Sequence, residues 1–540
     1  MVGLDLLWVG IIAKPLYQQG IGHLMADKPN VSVAVLLYAL FGLGLVLLRC
    51  CPQCGAFGNE QALHRLACIL NFSPIKKGID MAYQSINPND GKLLKSFEHL
   101  TAAQLEKSLA GAQRCYETWK HRSYAERAVV MNKAAALLHA HVDDFAKLET
   151  LEMGKRINEA RGEVKFSGDI LAYYAQHAES FLAPVKLHPK LGEAHMESSP
   201  LGVLFCVEPW NFPYYQLARV AGAQLMAGNV LVVKHAGCVP QCAIAFEKLL
   251  LEAGAPLGAY TNLLISHEQS EQVIDDPRIK GAALTGSVAA GRLVAARAGQ
   301  NMKKSVMELG GSDAFIVLDD ADLDKTLPWA VWGRMYNAGQ TCCAAKRFIV
   351  MESVADQFLA KFKTALEALE PGDPMLEATT LGPLSTEAAL LQLLAQVDAA
   401  VKGGAKLLMG GKRIDRPGWF MQATILTDIA PGNPAFRDEF FGPVVSFFRV
   451  KTEDEAIALA NDSDFGLAGS VWTKDEARGK RVASQIDTGM MFVNNLDWAD
   501  ADLPFGGVKN SGYGRELGSM GIQEFVNKKL VRSGTMAAPV

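Results

Sequence analysis

The strongest constraint on the fold of this chain is a change of hydrophobic periodicity near residue 200. Residues 202–207 and 229–234 are short, continuous apolar runs, and stretches with helical spacing follow them at 214–227 and 240–253. Parallel strands buried on both faces and joined by helices have this pattern. A third unit adds a strand at 279–285, a glycine turn and a helix start. The pattern predicts an α/β fold with a Rossmann-like half that binds a dinucleotide.

The turn after the third predicted strand contains Gly286 and Ser287, and Gly291 follows them. The spacing Gly-Ser-x-x-x-Gly differs from the common G-x-G-x-x-G, so alone it is weak evidence for a phosphate site. A second α/β unit begins after Gly310, with an apolar strand at 314–318. Upstream, apolar residues between 101 and 160 recur at helical spacing and predict covering helices. Examples are Ala125, Val129, Val130, Ala134, Leu137 and Leu138.

Length and composition narrow the class of protein. A chain of 540 residues has room for two or three compact units with large cores. A net charge of -4 with 20% charged residues provides no basic stripe and argues against a nucleic-acid partner. The ten cysteines lack the regular spacing of small disulfide scaffolds, which favours a reducing compartment.

The first 80 residues differ in character from the rest. Val31 to Leu48 is a run of eighteen residues without a charge, at the lower limit for a membrane-spanning helix. Cys51, Cys54, His64 and Cys68 follow it, but their spacing matches no common zinc site, so no metal is predicted. A membrane anchor is therefore one interpretation of residues 1–80.

The segment 337–346 places Cys342 behind a Gly-Gln turn, where its thiol is a candidate nucleophile. A lone cysteine is more often core filling, so the neighbouring motifs decide. Those motifs occupy 209–213, Lys234, 285–287, 308–311, 439–443 and 504–512. In this order and spacing, from about residue 83 to about 531, the chain resembles the NAD(P)-dependent aldehyde dehydrogenase superfamily. Residues 234–236, 308–313 and 344–349 are similar to one branch of bacterial succinate-semialdehyde dehydrogenases.

The resemblance assigns the steps of aldehyde oxidation to three residues. Cys342 attacks the aldehyde carbon, and a position at a helix start is expected to favour its thiolate. The side-chain amide of Asn211 and the backbone N–H of Cys342 stabilise the oxyanion. Glu308 activates the water that hydrolyses the thioester, and its apolar neighbours predict a raised pKa. A carboxylate here favours a free acid as product over a coenzyme A thioester.

The resemblance also implies a cofactor site. Lys234 reaches the adenine ribose, Gly286 and Ser287 the pyrophosphate, and Glu439 the nicotinamide ribose, with Trp210 and Phe441 completing the set. NAD-selective members usually have a glutamate three positions after the lysine, where this chain has Gly237. Without that repelling charge, both NAD and NADP are expected to serve.

The substrate prediction rests on Arg219, expected at the pocket mouth to bind a substrate carboxylate. It indicates succinate semialdehyde, although Tyr336 replaces the second arginine of two-arginine members. Asp500 and Asp502 near the expected entrance favour the alternative of a general aldehyde or aminoaldehyde dehydrogenase. A catalytically silent binding protein or membrane scaffold is the alternative from another class. Cys343, adjacent to the nucleophile, is a redox candidate that could form a reversible disulfide.

The predicted organisation has three functional parts and an extension. Residues 81–183 and 200–309 form the cofactor domain, 310–515 the catalytic domain, and 184–199 with 516–535 an oligomerisation element of a homodimer or homotetramer. Residues 1–80 are either an anchor or the result of a mis-called start. The second interpretation rests on the sequence after Met81, which resembles the usual N-terminus of short bacterial relatives. The expected location is cytoplasmic, or membrane-anchored through Val31 to Leu48.

Overall fold

The computed structural model describes residues 83–496 and 499–534. The hypotheses about a span from Val31 to Leu48 and about zinc ligands among residues 51–68 lie outside the described residues. The described residues belong to one compact unit, Met81–Val540, which contains both large sheets.

The described chain opens with an antiparallel hairpin, four helices and a second hairpin. The elements are β1 (Tyr83–Ile86), β2 (Leu93–Phe97), α1 (Ala102–Trp119), α2 (Tyr124–Ala140), α3 (Val142–Met153), α4 (Ile157–Phe181), β3 (Val185–Leu187) and β4 (Glu193–Pro200). Thr101 and Ser123 start α1 and α2 with capping boxes, which satisfy free N–H groups at the helix ends. Val130, Ala134 and Leu138 are buried as predicted. The predicted apolar stripe was too wide, because Ala125 is exposed and Val129 is 67% exposed.

The next elements form the predicted Rossmann-like half. They are β5 (Val203–Glu208), α5 (Pro213–Ala227), β6 (Val230–His235), α6 (Pro240–Glu252), β7 (Tyr260–Asn262), α7 (His267–Asp275), β8 (Ile279–Thr285), α8 (Val288–Gln300) and β9 (Lys304–Glu308). Strand β5 pairs in parallel with β6 and β8, and β8 pairs in parallel with β9. The carboxyl ends of these strands therefore share one edge, where doubly wound sheets bind ligands.

The second half follows, with a larger sheet. Its elements are β10 (Asp313–Val317), α9 (Leu323–Met335), a 3₁₀ turn (Tyr336–Gly339), β11 (Ala345–Met351), α10 (Glu352–Glu367), α11 (Glu387–Lys402), β12 (Lys406–Met409), β13 (Thr424–Thr427), α12 (Pro434–Arg437), β14 (Val444–Val450), α13 (Glu453–Asn461), β15 (Phe465–Gly466), β16 (Gly469–Trp472), α14 (Glu476–Ala483) and β17 (Phe492–Val493). In the described part of the chain, seven strands pair in the order β12-β13-β14-β11-β10-β16-β17. Phe315, Phe348 and Trp472 stack in its core.

The C-terminal part returns to the first half of the molecule. It contains β18 (Val508–Lys509), β19 (Gly512–Tyr513), α15 (Gly518–Gln523) and β20 (Val526–Ser533). Strand β19 pairs with β9 and completes the order β19-β9-β8-β5-β6-β7. Strand β20 pairs antiparallel with all of β4, so the predicted hairpin and tail do meet. Among residues 83–496 and 499–534, no helix has the length and hydropathy needed to cross a membrane.

Candidate active site

A cleft of about 420 Å³ opens between the two large sheets. Eight residues predicted from the sequence line it together: Trp210, Asn211, Gly286, Ser287, Glu308, Cys342, Glu439 and Phe441. They come from segments more than 200 residues apart in the chain, and the fold brings them to one place. Lys234 and Arg219 are not part of this lining, and their positions are described below.

The loop that carries Cys342 differs from the prediction. Cys342 is not at a helix start; it lies in a turn between the 3₁₀ segment Tyr336–Gly339 and strand β11. Asn337 and Ala338 adopt left-handed backbone conformations, with φ of 53° and 52°, which cost energy for residues other than glycine. The Asn337 side chain donates from Nδ2 to the Asn211 carbonyl at 2.8 Å, which connects this loop to the segment between β5 and α5.

The pKa of the Cys342 thiol is nevertheless lowered, to about 7. The main cause is a hydrogen bond with the Cys343 side chain, and the positive charges of Lys346 and Arg219 add to it, while burial works in the opposite direction. Side-chain contacts therefore take the role that the prediction gave to a helix dipole. A substantial thiolate fraction at neutral pH follows, as a nucleophile requires.

Lys346 is a site residue that the sequence interpretation missed. Its side chain is 1% exposed, and its ammonium donates to the carbonyls of Gly311 and Cys342, both at 2.6 Å, and to Glu439 Oε1 at 2.7 Å. Glu439 Oε1 also accepts from the Gly311 N–H at 3.0 Å. Lys346 thus connects the nucleophile loop to the carboxylate predicted for the nicotinamide ribose. The signal available in the sequence was a charged pair, Lys346-Arg347, in an otherwise apolar strand.

Asn211 stands between β5 and α5, directly before Phe212 and Pro213. Its side chain is buried, and Nδ2 donates to the Gln340 carbonyl at 3.0 Å. The amide nitrogen has two hydrogens. One is used by Gln340, and the second can donate to an oxyanion formed at Cys342 in the same cleft.

Glu308 is the last residue of β9 and is 2% exposed. Burial raises the pKa of its carboxyl well above the ordinary value, and the charge of Arg219 opposes part of this effect. The predicted direction of the pKa shift is confirmed. A carboxylate whose pKa is raised is a stronger base and is suited to take a proton from water.

The prediction for Arg219 is wrong about its location. Arg219 lies in α5, every residue of which is buried, and its side chain is 1% exposed instead of lying at a pocket mouth. Its Nε forms an ion pair with Glu516, and Nη2 donates to Thr285 Oγ1 at 2.9 Å. The rings of Tyr215 and Phe505 lie 5.0 and 4.9 Å from the guanidinium carbon. Glu516 was also missed, because its partner is almost 300 residues away in the chain.

The rest of the cleft provides a donor set that fits a dinucleotide. Ser287 caps α8, accepting from the Ala290 N–H at 3.2 Å, so a helix N-terminus faces the cleft beside Gly286. Trp210 and Phe441 meet edge to face at 5.7 Å. Lys234 lies near the carboxyl end of β6, beyond the cleft lining. A methyl group at Gly310 would lie 2.1 Å from Glu439 Oε2, so only glycine permits this approach.

Comparison with known proteins agrees with this geometry. Residues 76–531 match the family model described as the aldehyde dehydrogenase family, and residues 1–72 match one described as a predicted membrane protein. The succinate-semialdehyde dehydrogenase [NADP(+)] of Deinococcus radiodurans is 47% identical over 84% of this chain and 94% of its own length. A probable succinate-semialdehyde dehydrogenase [NADP(+)] of Synechocystis is 44% identical over 84% and 99%.

Solved structures show the same likeness. The structure of Gox0499, described in terms of cofactor and substrate selection, is 53% identical with a TM-score of 0.83 and covers 84% of this chain and 100% of that one. Succinic semialdehyde dehydrogenase from Streptococcus pyogenes, in complex with NADP+ as the cofactor, is 42% identical with a TM-score of 0.83 and the same coverage. Fold, site and sequence agree, and the chain belongs to the aldehyde dehydrogenase family.

Proposed function

We propose that this protein oxidises succinate semialdehyde to succinate, with NADP+ or NAD+ as the oxidant. One observation carries the proposal: a thiol with a lowered pKa, a side-chain amide and a buried carboxyl line the same cleft, as Cys342, Asn211 and Glu308. The names and the 44–47% identity of the relatives support the substrate.

The chemistry follows from these three side chains. The Cys342 sulfur bonds to the aldehyde carbon, and the carbonyl oxygen becomes an oxyanion that accepts a hydrogen bond from Asn211 Nδ2. A nicotinamide cofactor held in this cleft would supply the acceptor for the hydride that the aldehyde carbon loses. Glu308 then takes a proton from water as the water oxygen attacks the thioester carbon. The carbon–sulfur bond breaks, the acid departs and the Cys342 thiolate is restored.

Arg219 remains our candidate for recognising the substrate carboxylate. A guanidinium has five N–H groups. Arg219 donates one from Nη2 to Thr285 and one from Nη1 to Tyr215, and its Nε, with one N–H, faces Glu516 in the ion pair. Two N–H groups therefore remain for a carboxylate, and the positive charge already acts on Cys342. The alternative of an aminoaldehyde rests on Asp500 and Asp502. Asp502 accepts a hydrogen bond from the Tyr173 hydroxyl and, like Arg219, is not part of the cleft lining.

A substrate panel on the purified protein tests the proposal. We expect the highest kcat/KM with succinate semialdehyde, compared with pentanal, an uncharged analogue of similar length, and with an aminoaldehyde. Arg219→Met should raise KM for succinate semialdehyde by about tenfold to a hundredfold, as loss of a charge-assisted hydrogen bond costs, with less effect on pentanal. A higher kcat/KM with the aminoaldehyde would contradict the substrate assignment. An equal rise in KM of Arg219→Met for succinate semialdehyde and for pentanal would also contradict it.

The proposal extends to the cofactor and to the location of the protein. Gly237 offers no charge against a 2′-phosphate, so we propose that NADP+ and NAD+ both bind. The match of residues 1–72 to a predicted membrane protein supports the anchored alternative. We propose that the catalytic unit acts in the cytoplasm and that residues 1–80 attach it to a membrane.

A further inference from the structure

Tyr83, near the start of the described chain, lies beside both residues expected to decide cofactor selectivity. The ammonium of Lys234 is 5.4 Å from the centroid of the Tyr83 ring. The nearest atom to a methyl group placed on Gly237 is Tyr83 Cδ1, at 3.9 Å. One aromatic ring therefore borders the lysine predicted for the adenine ribose and the glycine that leaves room for a 2′-phosphate.

The Tyr83 ring is held in place from several sides. It is 4% exposed, and its backbone pairs with Phe97 across the β1–β2 hairpin. The hydroxyl donates to the Ile265 carbonyl at 3.0 Å, just beyond the carboxyl end of β7. The imidazole of His99 packs edge-on against the ring, with centroids 5.5 Å apart. These contacts connect the N-terminal hairpin to the edge of the sheet where Lys234 lies.

A ring fixed in this way can restrict the directions in which a lysine ammonium points. An ammonium within about 6 Å of an aromatic centroid is attracted by the ring face. Lysine side chains have many rotamers, and ordering them on binding a ligand costs affinity. Gly237 has no side chain to donate to a 2′-phosphate, so the position of the Lys234 ammonium matters more here.

We propose that Tyr83 is a positioning residue that holds the Lys234 ammonium towards the 2′-phosphate of NADP+. The inference rests on the cofactor site proposed above. It adds a residue from the N-terminal hairpin to that site, although the hairpin lies outside the cleft lined by Cys342.

Calorimetric titration of the full chain with adenosine 2′,5′-bisphosphate and with 5′-AMP tests the role of Tyr83 without any turnover. Tyr83→Leu should weaken binding of the bisphosphate by about threefold to thirtyfold, the range of a cation–π contact. Binding of 5′-AMP should change less, because it has no 2′-phosphate. Tyr83→Phe keeps the ring and should remain within about twofold of the wild type. Tyr83→Met replaces the leucine variant if that protein does not fold.

Two controls separate positioning from general stability. Tyr116 is a matched residue away from the site: Lys120 lies 4.8 Å from its ring centroid, and its hydroxyl donates to the Pro200 carbonyl. Tyr116→Leu should leave both affinities unchanged. In a Lys234→Met background, Tyr83→Leu should have no further effect on the bisphosphate, since Tyr83 acts through the lysine.

The outcomes are distinguishable. Two results would overturn the positioning role while leaving the cofactor site intact. One is unchanged affinity of Tyr83→Leu for the bisphosphate. The other is that Tyr83→Leu weakens bisphosphate binding as much in the Lys234→Met background as in the wild type. A wild-type protein that binds neither nucleotide would overturn the cofactor site itself, and the inference with it.

Discussion

At the scale of single residues, two adjacent thiols have opposite properties. The pKa of Cys342 is lowered to about 7, while burial and the neighbouring sulfur raise the pKa of Cys343 well above its ordinary value. A Cys343 thiol that stays protonated can donate a hydrogen bond to the Cys342 thiolate. The same contact keeps Cys343 a candidate for a reversible disulfide with Cys342, a hypothesis that recovery of peroxide-treated enzyme by dithiothreitol would test.

Replacing Cys343 with alanine should raise the pKa of Cys342. The hydrogen bond from Cys343 is the largest cause of the lowered value, and its loss moves the thiol back towards its ordinary value of 9.0. The rate of alkylation by iodoacetamide, measured against pH, should have its midpoint at about pH 7 in the wild type. In the variant, the midpoint should lie at a higher pH. At neutral pH the variant therefore reacts more slowly. Cys343→Ser, which keeps a donor, is the control, and an unchanged midpoint in Cys343→Ala would contradict the assignment.

Glu308→Gln should stop the reaction at the thioester. Glutamine cannot accept a proton from water, so kcat should fall by about a hundredfold to ten-thousandfold, as removal of a general base does. Mass spectrometry of the quenched enzyme should then detect an acyl adduct on Cys342. Cys342→Ala is the control, with neither turnover nor adduct. Normal turnover in Glu308→Gln without an adduct would mean that another group activates the water.

At the scale of elements, the three-stranded sheet of β3, β4 and β20 presents apolar side chains to solvent. Val185 is 51% exposed, Leu187 36% and Leu530 62%. Exposed apolar patches of this kind mark surfaces that associate. The pairing of β4 with β20 agrees with the predicted oligomerisation element. The oligomeric state, a homodimer or homotetramer, stays a prediction.

Leu530→Asp should weaken that assembly. Burying a leucine contributes about 1.5–3 kcal/mol, so the dissociation constant should rise by roughly tenfold to a hundredfold. Light scattering after size exclusion, over a dilution series, measures the mass of the assembly. Leu257→Asp is the matched control, because Leu257 is 80% exposed but lies after α6, away from the sheet. If both variants behave like the wild type, the three-stranded sheet is not the interface.

At the scale of the whole molecule, the catalytic unit begins close to Met81. Its first described strand starts at Tyr83, and both large sheets and every predicted site residue lie beyond that point. The residues before it match a different kind of protein, a predicted membrane protein. The chain therefore combines two regions with separate likenesses.

A protein that starts at Met81 should fold and keep the full specific activity of the 540-residue chain, because its hydrogen-bonded elements remain complete. Fractionation should find the full chain with membranes and the shorter protein in the supernatant. A protein that starts at Ser85 lacks Tyr83 and should bind adenosine 2′,5′-bisphosphate more weakly. Insoluble or inactive protein from the Met81 start would show that residues 1–80 belong to the fold.

The sequence alone determined the fold class and supplied the three candidate catalytic residues. Apolar runs of strand length alternate with helical stretches, and β5, β6, β8 and β10 lie within one residue of their predicted positions. The resemblance of the motifs to the aldehyde dehydrogenase superfamily implied the roles of Cys342, Glu308 and Asn211, which do share a cleft. These features are readable because periodicity and turn chemistry are local properties of the chain.

Only the tertiary structure decided how these residues are held and charged. Cys342 lies in a turn and not at the predicted helix start. The strand that follows can contain two buried cations, because carbonyls of other segments accept hydrogen bonds from Lys346 and Arg347. Arg219 is buried because Glu516, distant in sequence, lies beside it. The pKa of Cys342 depends on Cys343, Lys346 and Arg219 together. Such interactions depend on distance in space, which the order of residues along a chain does not specify.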